Sequence, residues 1–191
     1  MAKEDSVNWS DLKKILQDTD KKELIDLVRD LYKRSADDRS FITARYAKVE
    51  EKSKILEAYR KKVINVYYHP RGAASKPRYP VAKKAINDYF EASGDIKGTM
   101  DLALTLVENV MKYINEFSGI DEASRVGGSD MMEKFCELIT TEEGQKFYPY
   151  FRERLQKLYK DSVDSPYRLA NLRYYISDLY DFFFEEDLQD N

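Results

Sequence analysis

Reactive side chains are scarce in this chain of 191 residues, which holds one cysteine, Cys136, and one histidine, His69. A thiol becomes a nucleophile when its surroundings lower its pKa. Cys136 instead lies at helical spacing with Met132, Phe135 and Ile139, the pattern of a core stripe, which favours a buried, inert thiol. His69 has the chemistry of a general base, but it directly precedes Pro70, where a polar ring caps the chain or is solvated. One cysteine and one histidine do not make a His/Cys zinc site. A two-metal site in a helix bundle needs Glu-x-x-His on two helices, and the residue three before His69 is Val66. Glu108, Glu116, Glu133 and Glu137 are spaced like outward faces. Glu133 and Glu137 share a face at i, i+4, and a solvated pair is the simpler reading. Neither GxxxxGK[ST] nor GxGxxG occurs, so no phosphate-cradling loop is expected. The reading is a protein with no catalytic residues, no metal and no cofactor.

Charge is the more informative signal. The net charge is −3, yet residues 1–38 carry −2, residues 39–84 carry +10 and residues 85–191 carry −11. The basic block includes Arg60, Lys61, Lys62, Arg71, Lys76, Arg78, Lys83 and Lys84, with Tyr59, Tyr67, Tyr68 and Tyr79 between them. Cations interleaved with aromatic rings suit phosphates and stacked bases. The same residues also suit the outer face of an amphipathic helix, with tyrosines turned inward and hydroxyls at the rim. Pairing of this block with the acidic half, or with a partner, is the reading preferred here. A pI near 5.4 also argues against a dedicated nucleic-acid binder.

The elements that hold these residues are helical. Leu24, Leu27, Val28, Leu31 and Tyr32 form an i, i+3, i+4, i+7, i+8 stripe, with Thr19 placed to cap it. A shorter helix precedes it, from Ser10 through Leu12, Ile15 and Leu16, with Trp9 as a hydrophobic staple. Further helices are expected around Phe41–Tyr46, and from Ile55 to Tyr68, ending at His69-Pro70. The segment 70–80 holds three of five prolines and reads as the one long loop. Pro80 opens the next helix and Gly94 closes it. Asp95 starts another, which Gly119 stops, and Asp121 caps its successor. Gly127-Gly128 predicts a bend or a break there. Thr140 and Glu143 have capping-box spacing, Pro149 kinks or restarts the helix after it, and Ser165-Pro166 starts the last. Residues 185–191 form an acidic, frayed tail.

The expected fold is all-α. It is a single domain over 1–191, a compact array of eight or nine mostly antiparallel helices in an irregular bundle or a short stack of helical hairpins, with no β-sheet. The aromatic C-terminus, with Tyr174, Tyr175, Phe182, Phe183 and Phe184 on one helix, covers more than one stripe. That pattern marks an interface and points to a protein partner or a homodimer. The polar N-terminus, the absence of a long apolar run and the lone cysteine predict a soluble cytoplasmic protein that does not span a membrane.

Three stretches, Lys22-Glu23-Leu24-Ile25-Asp26-Leu27-Val28-Arg29-Asp30-Leu31-Tyr32, Ala82-Lys83-Lys84-Ala85-Ile86-Asn87-Asp88-Tyr89 and Tyr113-Ile114-Asn115-Glu116-Phe117-Ser118-Gly119-Ile120-Asp121, resemble a family of small bacterial proteins of unknown function. The resemblance covers most of the chain. It implies an all-helical cytoplasmic protein and supplies no reaction, cofactor or site residues. Gly127-Gly128 departs from it, at a point where an unbroken helix is expected. Function is therefore expected to be protein interaction or scaffolding, with weak nucleic-acid or anion binding by the 60–84 region as the alternative and an enzyme with an unfamiliar site as the third reading.

Overall fold

Apolar residues recur at helical spacing through most of the chain, and in the computed structural model they are carried on ten α-helices among the described residues 8–73, 76–117, 122–164 and 170–187. The residue contacts divide the chain into two units, 1–46 and 47–191, where the sequence reading expects one domain.

The first unit holds α1 (Trp9–Asp18), α2 (Lys21–Arg34) and α3 (Ala36–Tyr46). Its caps sit one or two residues earlier or later than expected. Asn8, not Ser10, caps α1 by accepting from the Asp11 N–H at 3.1 Å, and Asp20, not Thr19, caps α2 by accepting from the Lys22 N–H at 2.9 Å. Asn and Asp are equally good caps, so composition alone does not choose among adjacent candidates. Trp9 begins α1 and is 68% exposed, so it staples nothing. Ala44 is the one buried hydrophobic residue of this unit among the described residues.

The second unit holds α4 (Lys52–Asn65), a two-stranded antiparallel ribbon of β1 (Tyr68–His69) and β2 (Gly72–Ala73), then α5 (Tyr79–Ser93), α6 (Ile96–Phe117), α7 (Glu122–Ile139), α8 (Glu142–Gln145), α9 (Tyr148–Asp164) and α10 (Ala170–Asp187). The ribbon corrects the expectation of no β-structure, and ten helices exceed the eight or nine expected. Helix α4 ends at Asn65, four residues before His69. Pro70-Arg71 then form a two-residue turn between paired His69 and Gly72, and the chain leaves it through Gly72 at a φ of +123°, a conformation that glycine adopts readily and other residues rarely do. A strand of two residues is too short to leave a period-two signature.

Helix α6 is the axis of this unit. It packs on α4, α5, α7 and α9, and buries residues on all sides from Gly98 to Val107, as a central helix must. Its start follows the sequence reading: Gly94 closes α5 at φ +63°, and Asp95 accepts from the Gly98 N–H at 2.9 Å. Pro80 falls in the first turn of α5. Thr141, rather than Thr140, caps α8, accepting from the Gly144 N–H at 3.0 Å. Pro149 restarts the chain in the first turn of α9. The expectations at Gly119, Asp121, Ser165-Pro166 and 188–191 lie outside the described residues.

Helix α7 runs unbroken through Gly127-Gly128. A Cβ at Gly127 would overlap the Tyr79 ring, and one at Gly128 would lie 3.1 Å from Val110. The glycine pair is therefore a packing groove on a continuous helix, with α5 seated on one glycine and α6 on the next. Among the described residues no helix is long and apolar enough to cross a membrane.

Candidate functional site

The most concentrated polar chemistry of the second unit lies within its core, around Asp101. Its side chain is 4% exposed, in the apolar run Met100-Asp101-Leu102-Ala103-Leu104. Arg60 of α4 donates to Asp101 Oδ2 at 3.1 Å from Nε and 2.5 Å from Nη2, and also to Glu57 one turn earlier. Arg154 of α9 donates to Asp101 Oδ1 at 2.6 Å, to Glu108 at 2.8 and 2.7 Å and to Thr105 Oγ1 at 3.1 Å. Burial lowers the pKa of both arginines, but the hydrogen bonds and charge of their carboxylate partners outweigh it and leave both above the ordinary value. The two guanidinium groups thus stay charged and fix α4 and α9 to α6 through planar, fork-like contacts. Arg60 takes one Asp101 oxygen and Arg154 the other, so this cluster is an internal clamp that ties α4 and α9 to α6.

Beside it, an open cleft of about 530 Å³ is lined by Glu108, Asn109, Lys112, Glu116, Arg154, Lys157 and Asp161, among others. Its charges are matched locally. Lys157 reaches Asp161 at 2.5 Å, Lys112 reaches Glu116 at 3.8 Å, and the Tyr68 hydroxyl donates to Glu116 at 2.8 Å. Burial and then Glu116 raise the Tyr68 pKa, which keeps it a phenol. Three cations against three anions give the cleft no net charge with which to steer a charged ligand.

A second groove of about 410 Å³ runs along α5 and α7 past Lys83, Asn87, Asp130 and Lys134. Lys134 donates to Asn87 Oδ1 at 2.7 Å. Its pKa is lowered, first by burial and then by the Lys83 charge, with Glu137 and Glu91 opposing. Lys83 approaches Asp130 at 3.5 Å. Tyr79, whose pKa is raised chiefly by burial and then by Asp130, lies under it, with the Lys83 Nζ 5.9 Å from the ring centre.

The basic residues singled out from the sequence fall in different places. Arg60 is committed to Asp101, Lys83 to Asp130 and Lys84 to Asp88 at 2.5 Å. Lys62 lies 5.0 Å from the Tyr59 ring centre. Lys61, Arg71, Lys76 and Arg78 are exposed. The interleaved Tyr59 and Tyr67 are fully buried and so have no ring face to offer a base. His69 is exposed on the ribbon, where its Nδ1 accepts from the Arg71 N–H at 3.3 Å. Cys136 is largely buried, and burial followed by the Asp178 charge pushes its thiol up to about 12, the opposite of an activated nucleophile.

The C-terminal aromatics divide as well. Phe183 is buried, stacked on Tyr148 at 3.9 Å, and belongs to the stripe Leu172, Ile176, Leu179, Phe183 that packs on α7 and α9. Tyr174 is 64% and Phe182 44% exposed. Tyr175 is half-buried, with its backbone carbonyl near the Cys136 thiol. The side chain of Phe184 lies outside the described residues.

Among the described residues, seven exposed large apolar side chains lie elsewhere, on α1 and α2. Trp9, Leu12 and Ile15 are exposed on α1, and Ile25, Leu27, Val28 and Tyr32 on α2. The stripe at 24–32 was legible in the sequence as a helix, but the same periodicity describes a helix face whether or not anything covers it. The Asp101 clamp was missed, although a lone aspartate inside an apolar run is a signal for it. Comparisons with protein-family models, curated proteins and solved structures yield no match for this chain.

Proposed function

We propose that this protein is a protein-interaction module, and that the helices of residues 9–34 carry the contact. The observation behind this reading is the pairing of strongly apolar helix stripes with the lack of a core beneath them. In residues 8–46, Ala44 alone among the hydrophobic residues is buried, while seven large apolar side chains on α1 and α2 stand in solvent. Exposed apolar area of that extent disfavours the isolated state and favours association. The second unit supports the reading by being a well-packed platform with matched charges in its clefts. The free thiol of Cys136 suits a reducing compartment, the cytoplasm.

The test is a photo-crosslinking residue placed in living cells at Ile15 or Val28, with exposed Lys61 as the control position. Discrete adducts of higher mass at Ile15 and Val28 and none at Lys61 are expected. Equal yields at all three, or none anywhere, overturn the reading.

A second reading, binding of single-stranded nucleic acid, draws on exposed Lys61, Arg71, Lys76 and Arg78. With four cations uncommitted to carboxylates and two of the interleaved tyrosines buried, such binding is weak and non-specific.

A further inference from the structure

We infer that Lys134 is a covalent attachment point, an amine that captures small uncharged aldehydes or ketones in the α5–α7 groove as an imine. This goes beyond the interaction reading and does not depend on it. The first observation is the company Lys134 keeps. The residue is half-buried, and its hydrogen bond goes to a neutral amide, Asn87 Oδ1, at 2.7 Å. The Phe90 ring centre lies 5.8 Å from its Nζ. Among the described residues it forms no ion pair, whereas a lysine withdrawn from water is ordinarily paired. The carboxylates of the same groove have other partners. Asp130 takes both Lys83 and the Tyr79 hydroxyl at 3.5 Å, and Glu133 takes the Tyr175 hydroxyl.

The second observation is the arrangement. Lys83 and Asn87 are an i, i+4 pair on α5, and Asp130 and Lys134 are an i, i+4 pair on α7. Each pair shares one helix face, and all four side chains line the same space of about 410 Å³. Two amines thus share one groove. Burial, and then the like charge of Lys83, disfavour the ammonium form of Lys134, and Glu137 and Glu91 oppose this only in part. Asn87 permits the loss of the proton, because an amide oxygen accepts from an ammonium and an amine alike, where a carboxylate would hold the proton in place. A lysine desolvated beside a second cation is the form of this side chain that adds to carbonyl carbon.

Charge selects the ligand. Two lysines face Asp130, Glu133 and Glu137 in the groove, so its field is weakly negative and becomes more so when Lys134 gives up its proton. An anionic carbonyl compound is repelled there, and an uncharged aldehyde or ketone is not. The Lys134 lone pair attacks the carbonyl carbon, the C–N bond forms, and the oxygen takes a proton as the C–O π electrons move onto it. The resulting carbinolamine loses its hydroxyl as water and C=N replaces the C–O bond. Both protons of that water come, in net, from the amine. Lys83 is the proton donor available in the groove for the departing hydroxyl. The step is reversible and needs no oxidant or reductant.

The test treats the full chain with propionaldehyde and sodium cyanoborohydride, which reduces the imine to a stable secondary amine, and follows each lysine by peptide mass spectrometry. Lys134 is expected to be alkylated severalfold faster than exposed Lys61. That preference is expected to vanish in denaturing urea and to shrink in Asn87→Asp, which supplies a carboxylate to keep Lys134 protonated. With glyoxylate, an anionic aldehyde, the ratio of Lys134 to Lys61 labelling is expected to drop. Alkylation of Lys134 no faster than of Lys61 in the unaltered chain overturns the inference. So does a preference that persists in urea or survives Asn87→Asp undiminished, and so does a ratio that is higher with glyoxylate than with propionaldehyde.

Discussion

Residues 8–46 and residues 47–187 are built from the same material, amphipathic helices that, apart from the four-residue α8, run from ten to twenty-two residues, and end in opposite states. In the second unit α6 is surrounded, and its side chains from Gly98 to Val107 are all buried. In the first, three helices leave Trp9, Ile15, Ile25 and Val28 in water. Helix formation needs only local spacing and caps, which both regions have. Core formation needs enough neighbouring elements to enclose a stripe from several sides, and a unit of three short helices falls short of that. Stability is thus expected to be concentrated in the second unit, and association in the first.

The sharpest way to break that contrast is Asp101→Ala. It leaves Arg60 and Arg154 without their shared carboxylate in a region of low exposure, and removing one member of a buried ion pair costs about 3–5 kcal/mol. Urea unfolding is expected to show the loss in full. A change of a few tenths would mean that the clamp is hydrated and contributes little to the second unit.

Gly127→Ala comes next. The added methyl overlaps the Tyr79 ring, and overpacking of this kind costs about 1–3 kcal/mol. Combining it with Tyr79→Ala is expected to cost less than the two singles added together, since each substitution addresses the same contact. Strict additivity would show that the glycine serves something other than the seating of α5.

Alkaline titration gives a third, smaller test. The folded state holds the Cys136 thiol up to about 12, against 9.0 for an ordinary thiol. The folded chain therefore keeps a proton that the unfolded chain releases. This stabilisation is complete below about pH 9 and is lost as pH rises through the folded value. The unaltered chain is expected to lose more stability between those limits than Cys136→Ala does. Thiol-labelling reagents near neutral pH are expected to react slowly until the second unit unfolds.

Salt titration of binding to a single-stranded oligonucleotide probes the basic block. Four exposed cations, Lys61, Arg71, Lys76 and Arg78, limit the slope of log affinity against log salt to about −3. A much steeper slope would show that Arg60, Lys83 and Lys84 release their carboxylates to bind. The smallest effect is expected in the first unit. Ile25→Glu/Val28→Glu should change the unfolding free energy read from urea titration by no more than about 0.5 kcal/mol, the range of exposed substitutions. Hydrogen exchange should be fast in α1 and α2 and slow in α6.

Legibility followed the range of the interaction. Gly94 as a left-handed cap, Asp95 as an N-cap and Pro149 as a restart were readable because each depends on a few consecutive residues. Adjacent candidates such as Ser10 and Asn8, or Thr19 and Asp20, were confused because their side chains cap equally well. The eight basic positions looked like one patch in the sequence, and Arg60 among them proved to be an internal ligand of Asp101, forty-one residues away.

The sequence by itself determined that this chain is helical and, within a residue or two, where several of its helices start and stop, as at Gly94, Asp95 and Pro149. Periodicity and capping are local, so composition and spacing suffice for them. Only the tertiary structure decided which stripes are enclosed and which are left in water, which cations are already paired with carboxylates, and why Gly127-Gly128 leaves a helix unbroken. Those outcomes depend on partners tens of residues distant, and no local pattern records which partner arrives.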